Sequence, residues 1–277
     1  MEKNFAEGKT ILVTGATDGI GFATAKHLTG VGAHVLVHGR SKQKGINALT
    51  QISRAGCAGS ADLYLADFSS FSDVQRMAEE IKRENNELHL LINNAGNFYK
   101  DRTLTDDGIE MSFAVNHLAP FLLTLLLLDL IKASAPARII NVSSSAHKMI
   151  KQVDFDNLQG EKHYDPFEAY ALSKLGNVLF SQSLSRRLTG SGVTVNSLHP
   201  GVVNTKLLKK SYDLDGISAE EGAQTQLMLA TATEMDAVSG GYFQNSQEKR
   251  PSDIALDEGL QDRFWQVSEE LVSSYLK

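Results

Sequence analysis

Two side chains at helical spacing, Tyr170 and Lys174, carry the first chemical signal. Positions i and i+4 lie on one helix face, one turn apart. A free tyrosine titrates near pH ~10, too high for easy proton exchange at neutral pH. A cation beside the ring favours the phenolate, so the lysine would make the phenol a usable general acid or base. Alone the pair says little, because such pairs are common on helix surfaces. Upstream, Asn141-Val-Ser-Ser144 ends an apolar run and offers hydroxyls to a reacting oxygen. His34, His38, His89, His117, His163 and His199 show no ligand spacing with Cys, Asp or Glu, so no metal site is expected. Cys57 sits in a Gly/Ala-rich loop and reads as incidental.

A second signal follows the first apolar run. Thr14-Gly15-Ala16-Thr17-Asp18-Gly19-Ile20-Gly21 spaces its glycines as G-x3-G-x-G. Gly15 permits a tight exit from a strand. Gly19 lets the backbone approach a pyrophosphate, and Gly21 lets a helix pack on the sheet. Free N–H groups at the helix start, around Asp18 and Ile20, would then face phosphates.

These segments resemble the short-chain dehydrogenase/reductase family. TGATDGIG at 14–21 is similar to its cofactor loop, Asn93-Asn94-Ala95-Gly96 to its NNAG motif, and Tyr170-Ala-Leu-Ser-Lys174 to its YxxxK. Pro200-Gly201 matches its PG motif, and the matches fall in family order between residues 10 and 205. VNHLAPFLLT, NVSSSAH and AYALSKLGN are most similar to the retinol-dehydrogenase-like branch, which includes the WW-domain oxidoreductase. The resemblance implies hydride transfer between a nicotinamide and a carbonyl or alcohol carbon. Tyr170 would be the general acid or base, Lys174 would also hold the nicotinamide ribose, and Ser144 would bond the substrate oxygen. Strand alternation puts Ser143 and Ser145 on the other face. Asn116 would hold a water linking Lys174 to solvent. Asp67, with Phe68 beside it, would contact the adenine. Asn94, Ala95 and Gly96 would adjoin the adenine ribose, with Asn93 tying strands together. Backbone around Val203 would meet the carboxamide and Thr205 a phosphate.

Strand two ends in Val37-His38-Gly39-Arg40-Ser41. NAD-preferring members of the family usually have an acidic residue where Gly39 stands. Arg40 can grip a 2′-phosphate through charge-assisted bonds, with Lys44 one turn onward, so NADP(H) is expected over NAD(H). Ser144 and Tyr170 are 26 positions apart, a long interval that the retinol-dehydrogenase-like branch shares. The insertion, about 146–168, would wall the substrate site, with His147 and Phe155 either as candidate lining or as plain loop packing. A flap over about 203–218, the stretch where family members differ most, would add Leu207, Leu208 and Tyr212. The implied substrate is an apolar carbonyl or alcohol. A non-catalytic NADP(H)-binding regulator and a sugar-nucleotide-modifying enzyme are the alternatives.

Stepping outward from these residues, short apolar runs alternate with helical stretches. Strands are predicted at 10–13, 33–37, 62–66, 88–92, 138–142, 193–198 and 241–244. Helices are predicted at 20–31, 42–54, 72–84, 107–132, 167–189, 219–232 and 256–276. Such alternation means βαβ units, hence an α/β, Rossmann-type doubly wound parallel sheet of about seven strands flanked by helices. No linker or repeat interrupts it, so residues 1–277 are expected to form one domain.

Composition agrees. The chain has 277 residues, 42% hydrophobic, enough for a sizeable core. A net charge of −6 without basic runs argues against a nucleic-acid partner. One cysteine and no signal-like start suggest a reducing, cytoplasmic setting. FLLTLLLLDLI at 121–131 is about half the roughly 20 residues that span a bilayer, and reads as a buried helix. The resemblance also implies a homodimer or tetramer, with the helices at 107–132 and 167–189 packing across a two-fold axis.

Overall fold

In the computed structural model, which describes residues 4–203 and 216–276, the apolar runs become strands of a single sheet. β1 (Thr10–Val13), β2 (His34–Gly39), β3 (Ser60–Leu65), β4 (Leu90–Asn93), β5 (Ala137–Val142), β6 (Val193–His199) and β7 (Tyr242–Gln244) pair in parallel. A two-residue β8 (Gln247–Glu248) adds an antiparallel edge, giving the order β3-β2-β1-β4-β5-β6-β7-β8. The central strands are apolar at consecutive positions because both faces are covered. Ile11 and Val13 point to one face and Leu12 to the other.

One face is covered by α1 (Gly19–Gly30), α2 (Lys42–Arg54) and α6 (Ala219–Thr231). The other carries α3 (Phe71–Glu84), α4 (Met111–Ala133), α5 (Pro166–Arg187) and α7 (Glu258–Val272). The chain runs outward from β1 to β3, then returns to start β4 on the other side of β1. This strand-order reversal opens a crevice beyond the carboxyl ends of β1 and β4, where ligands of such sheets bind.

Three differences from the predicted elements have physical causes. α4 starts at Met111, not 107, because Gly108 takes a left-handed φ of 77° and the Glu110 carboxylate caps the Ser112 and Phe113 N–H groups. β3 starts two residues early, pairing Ser60 with His34. β8 was not expected: it hangs on a tight turn at Asn245 and Ser246, both with positive φ, without the Asn-Gly signature of such turns.

α4 is apolar and long enough to cross a membrane by length and composition, yet 72% of its most apolar window is buried in this fold. Its partner is within the chain. α7 lies over α4 and α5, with Trp265 5.0 Å from the Phe121 ring and 5.7 Å from Phe180. Phe264 packs edge-on to Phe113 and His117. On this side the aromatic residues of α4 and α5 are covered by α7 of the same chain. Phe264→Ala should cost about 3–5 kcal/mol, the range for a buried aromatic, as a lowered midpoint of urea unfolding.

Candidate active site

The turn after β1 is held from three directions. Gly15 has φ +64°, and its N–H donates to Nδ1 of His38 at 3.1 Å. Nε2 of His38 in turn faces the Ala66 carbonyl at 3.1 Å, and the ring stacks on Phe68 at 4.3 Å. Burial pushes His38 down to about 4, against the opposing pull of the Ala66 carbonyl and Asp67. The ring is thus neutral, and these partners require the Nε2–H tautomer. Thr14 Oγ1 accepts from the N–H groups of Asn94 and Ala95, and Asn94 Nδ2 donates to the Thr14 carbonyl. A Cβ on Gly21 would collide with Asn94 Nδ2 and the Gly15 carbonyl, so that helix start can approach only as glycine. Asn93 reaches Thr124 and Asn141, tying β4 to α4 and β5.

At the rim of this end, Arg40 lies 3.9 Å from the Asp67 carboxylate, both well exposed. Burial works against the charge of Asp67, yet the Ser69 N–H and hydroxyl and the Arg40 cation hold it below its ordinary range. Gly39 abuts Thr17, which a side chain at that position would strike.

The other end is built on β5 and α5. Lys174 is buried, and its Nζ donates to the Val142 carbonyl at 3.1 Å. Burial lowers it to about 8. Its Nζ lies 5.8 Å from the Tyr170 ring centroid, confirming that the two share a face. Ser143 turns inward, donating to the Lys174 carbonyl at 2.7 Å. Ser144, one residue on, lines the cleft, its Oγ accepting from the Ala146 N–H. Behind Gly96, Asn116 sits in a π-helical turn of α4 at 114–118, a feature frequent at functional sites. Its side chain accepts from the Asn97 N–H and donates to the Asn97 carbonyl and Ser173 Oγ. A Cβ on Gly96 would come within 3.1 Å of Lys174 Nζ and 3.3 Å of Asn116 Oδ1.

One cleft of about 980 Å3 joins the two ends. It is lined by Gly15, Asp18, Gly19, Ile20, Gly21, Arg40, Asp67, Phe68, Asn94, Ala95, Gly96, Ser144, Tyr170, Lys174, Pro200, Gly201 and Val203, all expected from sequence. Lys44 is not among them. It lies exposed in the first turn of α2, where its backbone N–H bonds the Ser41 cap. His147 and Phe155 also do not line it: His147 is fully buried beneath the Ser144 loop, and Phe155 packs on Phe264 under the Arg263 guanidinium. Thr205, Leu207, Leu208 and Tyr212 lie outside the described residues. The ends of the expected flap meet, Ile217 N–H donating to the Val202 carbonyl.

The wall beyond Tyr170 is formed by residues the sequence reading missed. Phe98 is 5.0 Å from Phe167 and 5.9 Å from Tyr170, and Tyr99, Met149 and Val202 complete an apolar mouth. Phe167 lies three positions before Tyr170 on one helix face, a signal that was available. Phe98 and Met149 arrive from loops, and no pattern marks them. Residues 149 and 167 belong to the long insertion, so its two ends reach the site although its middle does not.

Fold and cleft together define a dinucleotide-type α/β oxidoreductase site. The short chain dehydrogenase family profile matches residues 9–215. The chain is 40% identical to human (Homo sapiens) retinol dehydrogenase 14 over 96% of its length and 86% of that protein's. It is 42% identical to human retinol dehydrogenase 13, covering 96% and 85%. A crystal structure of an uncharacterized protein from Mycobacterium paratuberculosis superposes with a TM-score of 0.82 at 31% identity, covering 98% of this chain and 96% of that one. The chain belongs to the short-chain dehydrogenase/reductase family, in its retinol-dehydrogenase-like branch, and is an oxidoreductase acting on alcohol or carbonyl groups. Gly21→Ala should weaken dinucleotide binding at least about tenfold in a fluorescence titration, because the helix start must move away from Asn94 and Gly15.

Proposed function

We propose that this protein is an NADP(H)-dependent oxidoreductase interconverting an apolar aldehyde or ketone and its alcohol. The observation that carries this is the opening of Ser144 and Tyr170 into the cleft that begins at the glycine turn, with the desolvated Lys174 cation behind them. The residues fit a dinucleotide. Gly15–Gly21 and the start of α1 would hold its pyrophosphate, Asp67 and Phe68 its adenine, and Asn94–Gly96 the adjoining ribose. Lys174 would hold the second ribose, and Pro200–Val203 would lie by the carboxamide. Arg40 would grip the 2′-phosphate. Gly39 brings no acidic side chain of the kind that selects NAD, and a side chain there would press on that of Thr17. A landomycin C-6 ketoreductase with bound NADP, 27% identical and matching 86% of this chain and 95% of its own with a TM-score of 0.69, also favours this cofactor.

When bound, the nicotinamide would supply or accept the hydride. In the reducing direction Tyr170 gives its phenolic proton to the substrate oxygen as charge develops there, and Ser144 donates a second hydrogen bond. Lys174 lowers the cost of the resulting phenolate. Asn116 holds the Asn97 backbone beside Lys174, where an ordered water would connect the cation to solvent. The Phe98, Phe167 and Met149 wall excludes water and favours apolar substrates, in keeping with relatives named for retinol.

Tyr170→Phe should lower NADPH-linked reduction of a retinal and aldehyde panel at least about 100-fold at 340 nm while dinucleotide binding persists; a Tyr170→Phe enzyme with undiminished turnover sinks the mechanism. Arg40→Ala should weaken NADPH about tenfold and NADH by less than about twofold, read by comparative titration, and equal losses would remove the 2′-phosphate assignment. The kcat/KM of reduction should fall as pH rises through about 8, because Lys174 then loses the charge that supports Tyr170.

A further inference from the structure

Ser144 is the first residue beyond the paired part of β5. The ladder ends with Val142 opposite Leu198 and one more bond, from the Ser143 N–H to the Leu198 carbonyl. The chain then turns through a short 3-10 helix, Ser145–Met149, so the sheet itself does not fix the direction of the Ser144 side chain. What fixes this turn is His147. It is fully buried, and its Nδ1 lies 2.6 Å from the Ser144 carbonyl oxygen, which also receives the His147 backbone N–H at 3.1 Å. Its Nε2 accepts the Ser252 N–H at 3.1 Å, across more than 100 residues of sequence. The ring edge packs on the buried Tyr242 ring at 4.9 Å. Lys148 adds a parallel tie, donating to the Arg250 carbonyl. An acceptor at Nε2 requires the proton at Nδ1, so the ring is a directed donor to Ser144.

We infer that His147 is a positioning residue for Ser144: as a neutral Nδ1–H tautomer anchored on the Ser252 backbone, it holds the serine's peptide so that the hydroxyl faces Tyr170 across the cleft. This rests on the proposed role of Ser144 and assigns His147 no contact with substrate. Burial opposes its protonation more strongly than the Ser144 carbonyl favours it, which keeps the tautomer intact.

The test uses the full chain with NADPH and an aldehyde that it turns over. His147→Gln retains an acceptor near Nε2 but loses the donor to Ser144; His147→Asn retains the donor. His147→Gln should lower kcat about tenfold or more with dinucleotide affinity unchanged, because a small misplacement of a polarising group is costly. His147→Asn should recover several-fold of that loss. In a Ser144→Ala background, His147→Gln should have no further effect, since a residue acting only through the serine cannot act without it. If the Gln variant does not fold, Ser252→Pro removes the anchoring N–H instead and is read the same way. Parallel loss of kcat and dinucleotide affinity, full additivity with Ser144→Ala, or unchanged kcat in the Gln variant each overturn the inference. A Ser144→Ala enzyme with full turnover overturns the serine's role and this inference with it, whereas additivity removes the positioning alone.

Discussion

The structure depends on keeping one ammonium group out of water. Lys174 sits buried between the end of β5 and the back of the NNAG turn, where its Nζ donates to the Val142 carbonyl. A lone cation is costly to desolvate, and the fall of Lys174 to about 8 expresses that cost. Its surroundings follow from this. Gly96 presents no side chain to Nζ, Ser143 bonds the Lys174 carbonyl, and Asn116 sits in a π turn behind. A rigid sheet gives such a group a fixed place, 5.8 Å from the ring of Tyr170.

The two ends of the cleft are assembled differently. The dinucleotide end is built of backbone: tight glycine turns, N–H groups and Thr14 and His38 as braces, all within the first half of the chain. The substrate end is built of side chains that converge from the loop after β4, the start of α5 and the turn after β5. Backbone recognition tolerates few substitutions, whereas the aromatic wall can be altered by changing side chains one at a time.

This contrast explains what was legible in the sequence. Glycine spacing, the i, i+4 tyrosine and lysine and the strand–helix alternation are local patterns, and each lay in the cleft or the sheet within a few residues of the expected limits. Lys44 lies outside the cleft lining, because nearness to Arg40 in sequence does not specify which way an exposed lysine points. For His147 and Phe155 the choice between cleft lining and loop packing stays open in the sequence, because loop periodicity cannot tell a lining residue from a packed one; both are packed. His38 could not be found, since its role depends on two chain segments meeting over its ring. Its apolar strand context argued only for burial.

The position of α7 has a consequence for how the chain is made. This helix leaves the ribosome after all the strands, yet it packs over the aromatic residues of α4 and α5. Phe113, Phe121 and Phe180 therefore gain part of their cover only once α7 has been made. Ser252, which anchors the catalytic turn, lies in the same late segment. The aromatic cover of α4 and α5 and the Ser252 bond to His147 thus both come from the last part of the chain to be synthesised.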